Sequence, residues 1–208
     1  MNRFSIDIET VSTVSDPDFS EPGHWSPFAV ALGHQNASMD DPDVVVVFRE
    51  DSSLAAEHRM LSNTLDWIAD RVEAGTERIL LTYNGESYDL PILTHRSRQL
   101  DAKVESNLTD RLELMLGGSR HVDLIQQMKK HEGYYVALEE ALDMHEIEYD
   151  EVEWLDKPVT GKDMLSFGLE LMTDRLNDDL REVTRRYAAS DVKPLFELHD
   201  RLQSTVVD

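Results

Sequence analysis

The stretch FSIDIET (4–10) decides the fold. Phe4, Ile6 and Ile8 alternate with Ser5, Asp7 and Glu9, the period of two that sends successive side chains to opposite faces of a strand. Acidic residues are depleted from strands. Two on one face mean either a fully solvated surface or carboxylates that share a cation. The rest of the chain has to separate these readings.

Working outward, PFAVALGHQ (27–35) and DVVVVFRE (43–50) read as strands two and three, the latter a β-branched run. The Pro-, Ser- and Asp-rich segment from Val11 to Pro27 reads as an irregular loop, either one wall of a substrate groove or plain surface. From Ser53 to about Ala74 the apolar residues Leu54, Leu61, Leu65, Ile68 and Val72 recur at helical spacing, with Gly75 as the stop. RILLTYNG (78–85) is nearly all apolar, as a strand buried on both faces should be. A helix is predicted over 90–100, followed by a polar stretch. RHVDLIQQM (120–128) reads as a fifth strand running into a helix, 137–147 as a short helix, DEVEWLDKP (150–158) as loop, and 160–172 and 176–203 as two more helices. Pro194 predicts a kink or restart in the last of these, because its ring crowds the carbonyl of Ser190. The pattern is α/β, a mixed five-stranded sheet flanked by helices, with 1–208 expected as a single domain.

Composition narrows the function classes. There is no cysteine, so neither a disulfide framework nor a thiolate zinc site. The eight histidines lack metal-site spacing such as H-x3-H, which argues against a zinc hydrolase. The beginning carries no basic-then-apolar leader, and no apolar run is long enough to span a bilayer. The expectation is a cytoplasmic protein that does not enter membranes. Asp and Glu number 42 against 20 Lys and Arg, a formal net charge of -22. Such a balance would ordinarily disfavour phosphate binding. At ~1 M salt, however, the Debye length is only about 3 Å and distant repulsion is erased. The acids are dispersed along the whole chain and lysine is scarce, which resembles the proteins of salt-loving archaea and their viruses.

Two further segments can carry chemistry. In YNGESYDLPIL (83–93), Asn84-Gly85 is a turn signal and Asp89 precedes Pro91 where a helix begins. Asp89 can be an N-cap, or a ligand at the carboxyl end of a strand, where open α/β sheets bind theirs. In RRYAASDVKPLF (185–196), Tyr187 and Asp191 are four apart and share one helix face. They can form a local hydrogen bond or belong to a site.

Together, D-x-E on the first strand, N-x3-(Y/F)-D after the fourth and Y-x3-D on a late helix resemble the DnaQ-like 3′–5′ exonucleases of the ribonuclease H-like fold. The tyrosine points to the DEDDy branch, which includes the proofreading domains of B-family DNA polymerases. YNGESYDLPIL and HVDL are similar to that family's supporting phrases, and the likeness spans about residues 3–202. Tyr88 stands where the family usually has Phe. The resemblance implies Asp7, Glu9, Asp89 and Asp191 as ligands of two divalent cations, Mg²⁺ or Mn²⁺, with Tyr187 as the fifth catalytic residue.

On that likeness one cation carries the attacking water, which Tyr187 orients, and the other faces the departing 3′-oxygen. Two such ions about 3.5–4 Å apart can serve nucleophile, phosphate and leaving group together. Tyrosine's ordinary pKa of about 10 makes it a poor free base at neutral pH. Thr10, Asn84, Tyr88 and Arg96 are candidate substrate contacts, Arg96 as a bidentate phosphate donor beside His95 and Arg98. Tyr83, Tyr88 and Trp25 can stack on terminal bases or pack in the core. The expected activity is exonucleolytic release of nucleoside monophosphates from single-stranded DNA or RNA, with any replication or repair partner a separate protein. An endonuclease acting on hybrids or branched DNA, or an inactive nucleic-acid-binding module, are the alternatives.

Overall fold

The computed structural model describes residues 1–73, 75–173 and 177–205. Its centre is a five-stranded sheet of β1 (Asn2–Ser12), β2 (Trp25–Asn36), β3 (Asp43–Phe48), β4 (Arg78–Thr82) and β5 (Arg120–Asp123) in the order β3-β2-β1-β4-β5. The pairs β1·β2 and β2·β3 are antiparallel, whereas β1·β4 and β4·β5 are parallel. β1 therefore pairs with an antiparallel strand on one side and a parallel one on the other. Its alternation is as read: Phe4, Ile6 and Ile8 enter one apolar core, while Asp7 and Glu9 turn to the opposite face. Pro27 cannot donate to the ladder. The β1·β2 register shifts beside it, with Glu9 opposite Ala29 and Thr10 opposite Pro27, so Phe28 is the extra residue of a bulge.

Helices cover both faces. On one, α1 (Leu54–Ala69), α2 (Asp89–Val104) and α3 (Leu108–Gly117) bury Met60, Leu65, Ile92, Leu100 and Leu112 against Phe4, Ile6 and Leu80. On the other lie α4 (Leu124–Glu132), α5 (Leu138–Met144), α6 (Gly161–Thr173), α7 (Asp178–Val192) and α8 (Leu195–Thr205). There Leu81, Val122, Leu142 and Phe196 form one cluster, and Phe28, Ala31, Phe167, Leu180 and Val192 another. β4 is buried on both faces, as its unbroken apolar run requires. Among the described residues no helix is long and apolar enough to cross a membrane.

Three local readings are corrected. The stretch after α2 is not polar loop but α3. Its cap comes from a distance, the Asp101 carboxylate of α2 accepting from the N–H groups of Leu108 and Thr109 at 2.8 Å each. The acidic segment contains a two-residue hairpin, β6 (Glu153–Trp154) with β7 (Lys157–Pro158), turned by Leu155 and Asp156, both at positive φ. α1 ends at Ala69 rather than near Ala74, which lies outside the described residues, as does the expected helix start at 176. The long final helix divides into α7 and α8 around Lys193-Pro194, the break that Pro194 predicts.

Candidate active site

Asp7 and Glu9 are placed by the strand period alone, two residues apart on the same face of β1. Asp191 comes from the last turn of α7, whose seat on the sheet is fixed by its buried Val192 and Ala188. One carboxylate oxygen from each of Asp7, Glu9 and Asp191 lies within 4.8 Å of the others. Ligands on opposite sides of a hard cation stand about 4–5 Å apart, so the three suit a common ion. Glu9 is only 6 % exposed, and its Oε1 is buried with no hydrogen-bond partner. A buried anionic oxygen without a donor is costly, and a divalent cation among these all-oxygen donors would satisfy it. The chemistry of the set fits Mg²⁺ or Mn²⁺.

Asp89 is not one of the three gathered oxygens, but it borders them: its charge bears on Glu9, and that of Asp7 bears on Asp89. It is 3 % exposed and opens α2 rather than capping it, since the N-cap position is Tyr88. The loop that delivers it is held by a residue that the sequence reading passed over. Asp123, at the end of β5, accepts from the N–H of Asn84 at 2.7 Å and of Glu86 at 2.9 Å. This clamp fixes Asn84 in its left-handed conformation (φ 67°). It also sets Gly85, where an added Cβ would stand 2.5 Å from the Thr82 side chain. HVDL was legible as a strand; the use of its Asp was not.

The acids raise one another. Burial, against the opposing pull of the Ile8 N–H, pushes Asp7 up to about 7. Burial first, and then the neighbouring carboxylates, hold Glu9, Asp89 and Asp191 well above the usual range. Tyr187 is half-buried, and burial together with Asp191, Glu9 and Asp7 drives its hydroxyl upward. It stays protonated at neutral pH and is a donor there.

Beside Glu9 opens a cavity of about 820 Å³ lined by Glu9, Thr10, Phe19, Asn84, Tyr88 and Lys162 among others. The long loop after β1 does form one of its walls. Trp25 donates its indole N–H to Asp18 O at 2.9 Å and stacks on Phe19 with centroids 4.8 Å apart. Phe19, a residue not singled out from sequence, is 69 % exposed. Thr10 Oγ1 and Tyr88 Oη share a hydrogen bond of 2.8 Å, burial raising the Tyr88 hydroxyl to about 12. Trp25 itself is buried, behind Phe19.

Arg96 is a correction. It is 7 % exposed and points into the core, donating from Nε and Nη2 to the two carboxylate oxygens of fully buried Glu57 at 2.6 Å each. A guanidinium so engaged has no donor fork left for phosphate. Arg98 pairs with Glu113 on the surface. Tyr83 donates to Val136 O at 2.9 Å and packs in the α4–α8 core, so it is structural.

No curated protein matches the sequence. Among solved structures, E. coli exonuclease I in complex with a 5cy-dT13 oligonucleotide aligns with 98 % of this chain and 40 % of its own, at 14 % identity and a TM-score of 0.46. The zinc-bound form of E. coli exonuclease I with single-stranded DNA aligns over 87 % and 42 %, at 14 % identity and a TM-score of 0.43. The chain thus spans about two-fifths of the length of that protein. The model of the RNase_H superfamily matches residues 29–203, a span holding Asp89, Tyr187 and Asp191, while Asp7 and Glu9 lie on the strand just before it. With the match covering most of the chain, and the mixed sheet order β3-β2-β1-β4-β5 beneath it, the protein belongs to the RNase_H superfamily.

Proposed function

We propose that this chain is a metal-dependent 3′–5′ exonuclease of the DEDDy kind, hydrolysing single-stranded DNA or RNA from its 3′ end to nucleoside monophosphates. The observation that carries the reading is the orphaned Glu9 Oε1 within the gathered carboxylates of Asp7, Glu9 and Asp191, at the mouth of an aromatic cavity. Asp7, Glu9, Asp89 and Asp191 would hold two divalent cations, which supply charge for the phosphate and a more acidic water. Tyr187, kept protonated, donates a hydrogen bond from its hydroxyl to an oxygen beside Asp191 and so orients a water or phosphate without removing a proton. The cavity takes the terminal nucleotide, with the exposed face of Phe19 against the base and Lys162 toward phosphate. Thr10 and Tyr88 shape the floor through their shared hydrogen bond, and the Asn84 loop closes one side.

The likeness to B-family proofreading domains rests on Tyr187 and the order of the three motifs, and a separate replication or repair partner would go with it. Salt-loving origin rests on the dispersed acids; dialysis to low salt should then unfold the protein, as circular dichroism would show. The deciding experiment is digestion of 5′-labelled single-stranded DNA and RNA in high KCl with Mg²⁺ or Mn²⁺, beside Asp7→Ala and EDTA controls. A ladder shortening from the 3′ end, lost in both controls, is expected. Internal cuts on hybrid or branched substrates instead would make the chain an endonuclease. Binding without cleavage, in a folded and metal-loaded sample, would make it a binding module.

A further inference from the structure

The acidic surface has one place built differently. Lysine occurs six times in 208 residues, and two stand side by side at the end of α4, in KKHEGYY (129–135). Arginines such as Arg59, Arg71, Arg111 and Arg186 are matched to acids. Lys129 and Lys130 are exposed and make no ion pair among the described residues. The nearby Glu132 is instead matched to His131. After the turn at Gly133, Tyr134 and Tyr135 are 50 % and 59 % exposed, and Lys129 Nζ stands 4.2 Å from the ring centroid of Tyr135. A cation against an aromatic face holds that ring outward in a fixed pose. Two exposed tyrosines have no role in the core, where Val136 already serves as anchor.

The chain that follows the patch leads to the site. Val136 accepts the Tyr83 hydroxyl at the end of β4, one residue before Asn84. Leu138 and Glu139, just beyond, line a second cavity of about 350 Å³ together with Tyr187 and Asp191. At high salt the lysine charges are screened, so stacking is the contribution that survives.

We propose that Lys129, Lys130, Tyr134 and Tyr135 form a tract for the single strand upstream of the end held in the site, the tyrosines stacking on bases and the lysines on phosphates. This rests on the nuclease reading above. Cations interleaved with exposed aromatic rings are what sequence-tolerant single-strand binding uses.

The test is fluorescence anisotropy in EDTA with oligonucleotides of about 16 and about 4 nucleotides, the shorter filling only the site. Tyr134→Ala with Tyr135→Ala should weaken the longer strand at least about fivefold and keep that loss at ~1 M KCl. Lys129→Glu with Lys130→Glu should lower the slope of log K against log salt by about 1.4. The ratio of long- to short-strand affinity should fall in both. Lys103→Glu, an equal charge change per residue on exposed α2, is the control and should leave that ratio alone. An unchanged ratio in the tyrosine variant overturns the tract and leaves the face to a protein partner. Equal losses with Lys103→Glu overturn the lysine contribution. If wild type shortens strands but no variant alters the ratio, only the tract is wrong; if wild type neither binds nor cuts, the nuclease reading fails with it.

Discussion

Without cations, the protein should be destabilised by its own site, and Asp7→Asn should show by how much. Burial raises Asp7 from 3.8 to about 7. At about 1.4 kcal/mol per pKa unit, the ionised side chain costs the folded state about 4 kcal/mol above pH 7. The sign follows from proton counts. Between about pH 4 and 7 the folded protein keeps the Asp7 proton while the unfolded chain has lost it, so stability falls as pH rises through this window. Below it both states are protonated and the penalty vanishes; above it the penalty is complete. Asn is isosteric and neutral, and it also lifts the Asp7 charge from Glu9, Asp89 and Asp191.

Urea unfolding in fixed KCl and EDTA should therefore find Asp7→Asn more stable than wild type by a few kcal/mol at pH 8, and nearly equal to it at pH 4. Mg²⁺ or Mn²⁺ should close most of that gap. Wild type gains about 2.7 kcal/mol at a cation concentration of 100 Kd, and a variant lacking one ligand gains much less. A variant no more stable than wild type in EDTA at pH 8, or a difference indifferent to pH, would refute the reasoning.

On the proposed reading Tyr187→Phe removes an orienting donor and leaves the carboxylates in place, so it should lower kcat about 100-fold with little change in KM; steady-state kinetics on a labelled oligonucleotide checks both. Asp123→Asn turns an acceptor of two N–H groups into one that also presents a donor. It should cost about 2 kcal/mol in urea unfolding and lower activity, while calorimetry still finds Mn²⁺ binding at Asp7, Glu9 and Asp191. Glu57→Gln leaves Arg96 and Arg49 buried against a neutral partner and should cost about 3–5 kcal/mol. A loss below about 1 kcal/mol would show that the pair is solvated.

What could be read from sequence was whatever is local. The period of two in FSIDIET is a property of one strand, and it placed Asp7 and Glu9 on a shared face without help from the rest of the chain. The apolar run of β4 and the break at Pro194 are equally local. The misreadings turn on contacts and turn geometry that the adjacent residues do not announce. Asn107 holds the N-cap position of α3 but its side chain makes no capping bond, and the N–H groups go instead to Asp101 on the preceding helix. The β6·β7 turn uses Leu155 and Asp156 at positive φ, without the Asn-Gly or Asp-Gly pair that marks such turns. Arg96 looked free because Glu57, its partner, lies 39 residues earlier.

The site itself follows from topology. Because β1 and β4 run parallel, their carboxyl ends point the same way, and the turn after β4 delivers the first residue of α2 beside the acids of β1. α7 brings Asp191 from a third direction. Nothing among these carboxylates attracts one to another; each is raised by burial or by its neighbours. Their positions must therefore be imposed from outside, by the core beneath β1, by Val192 and Ala188 under α7 and by the Asp123 clamp on the Asn84 loop. A site held in this way does not collapse when one charge is removed, which is why neutralising Asp7 should strengthen the fold while disabling the cation site.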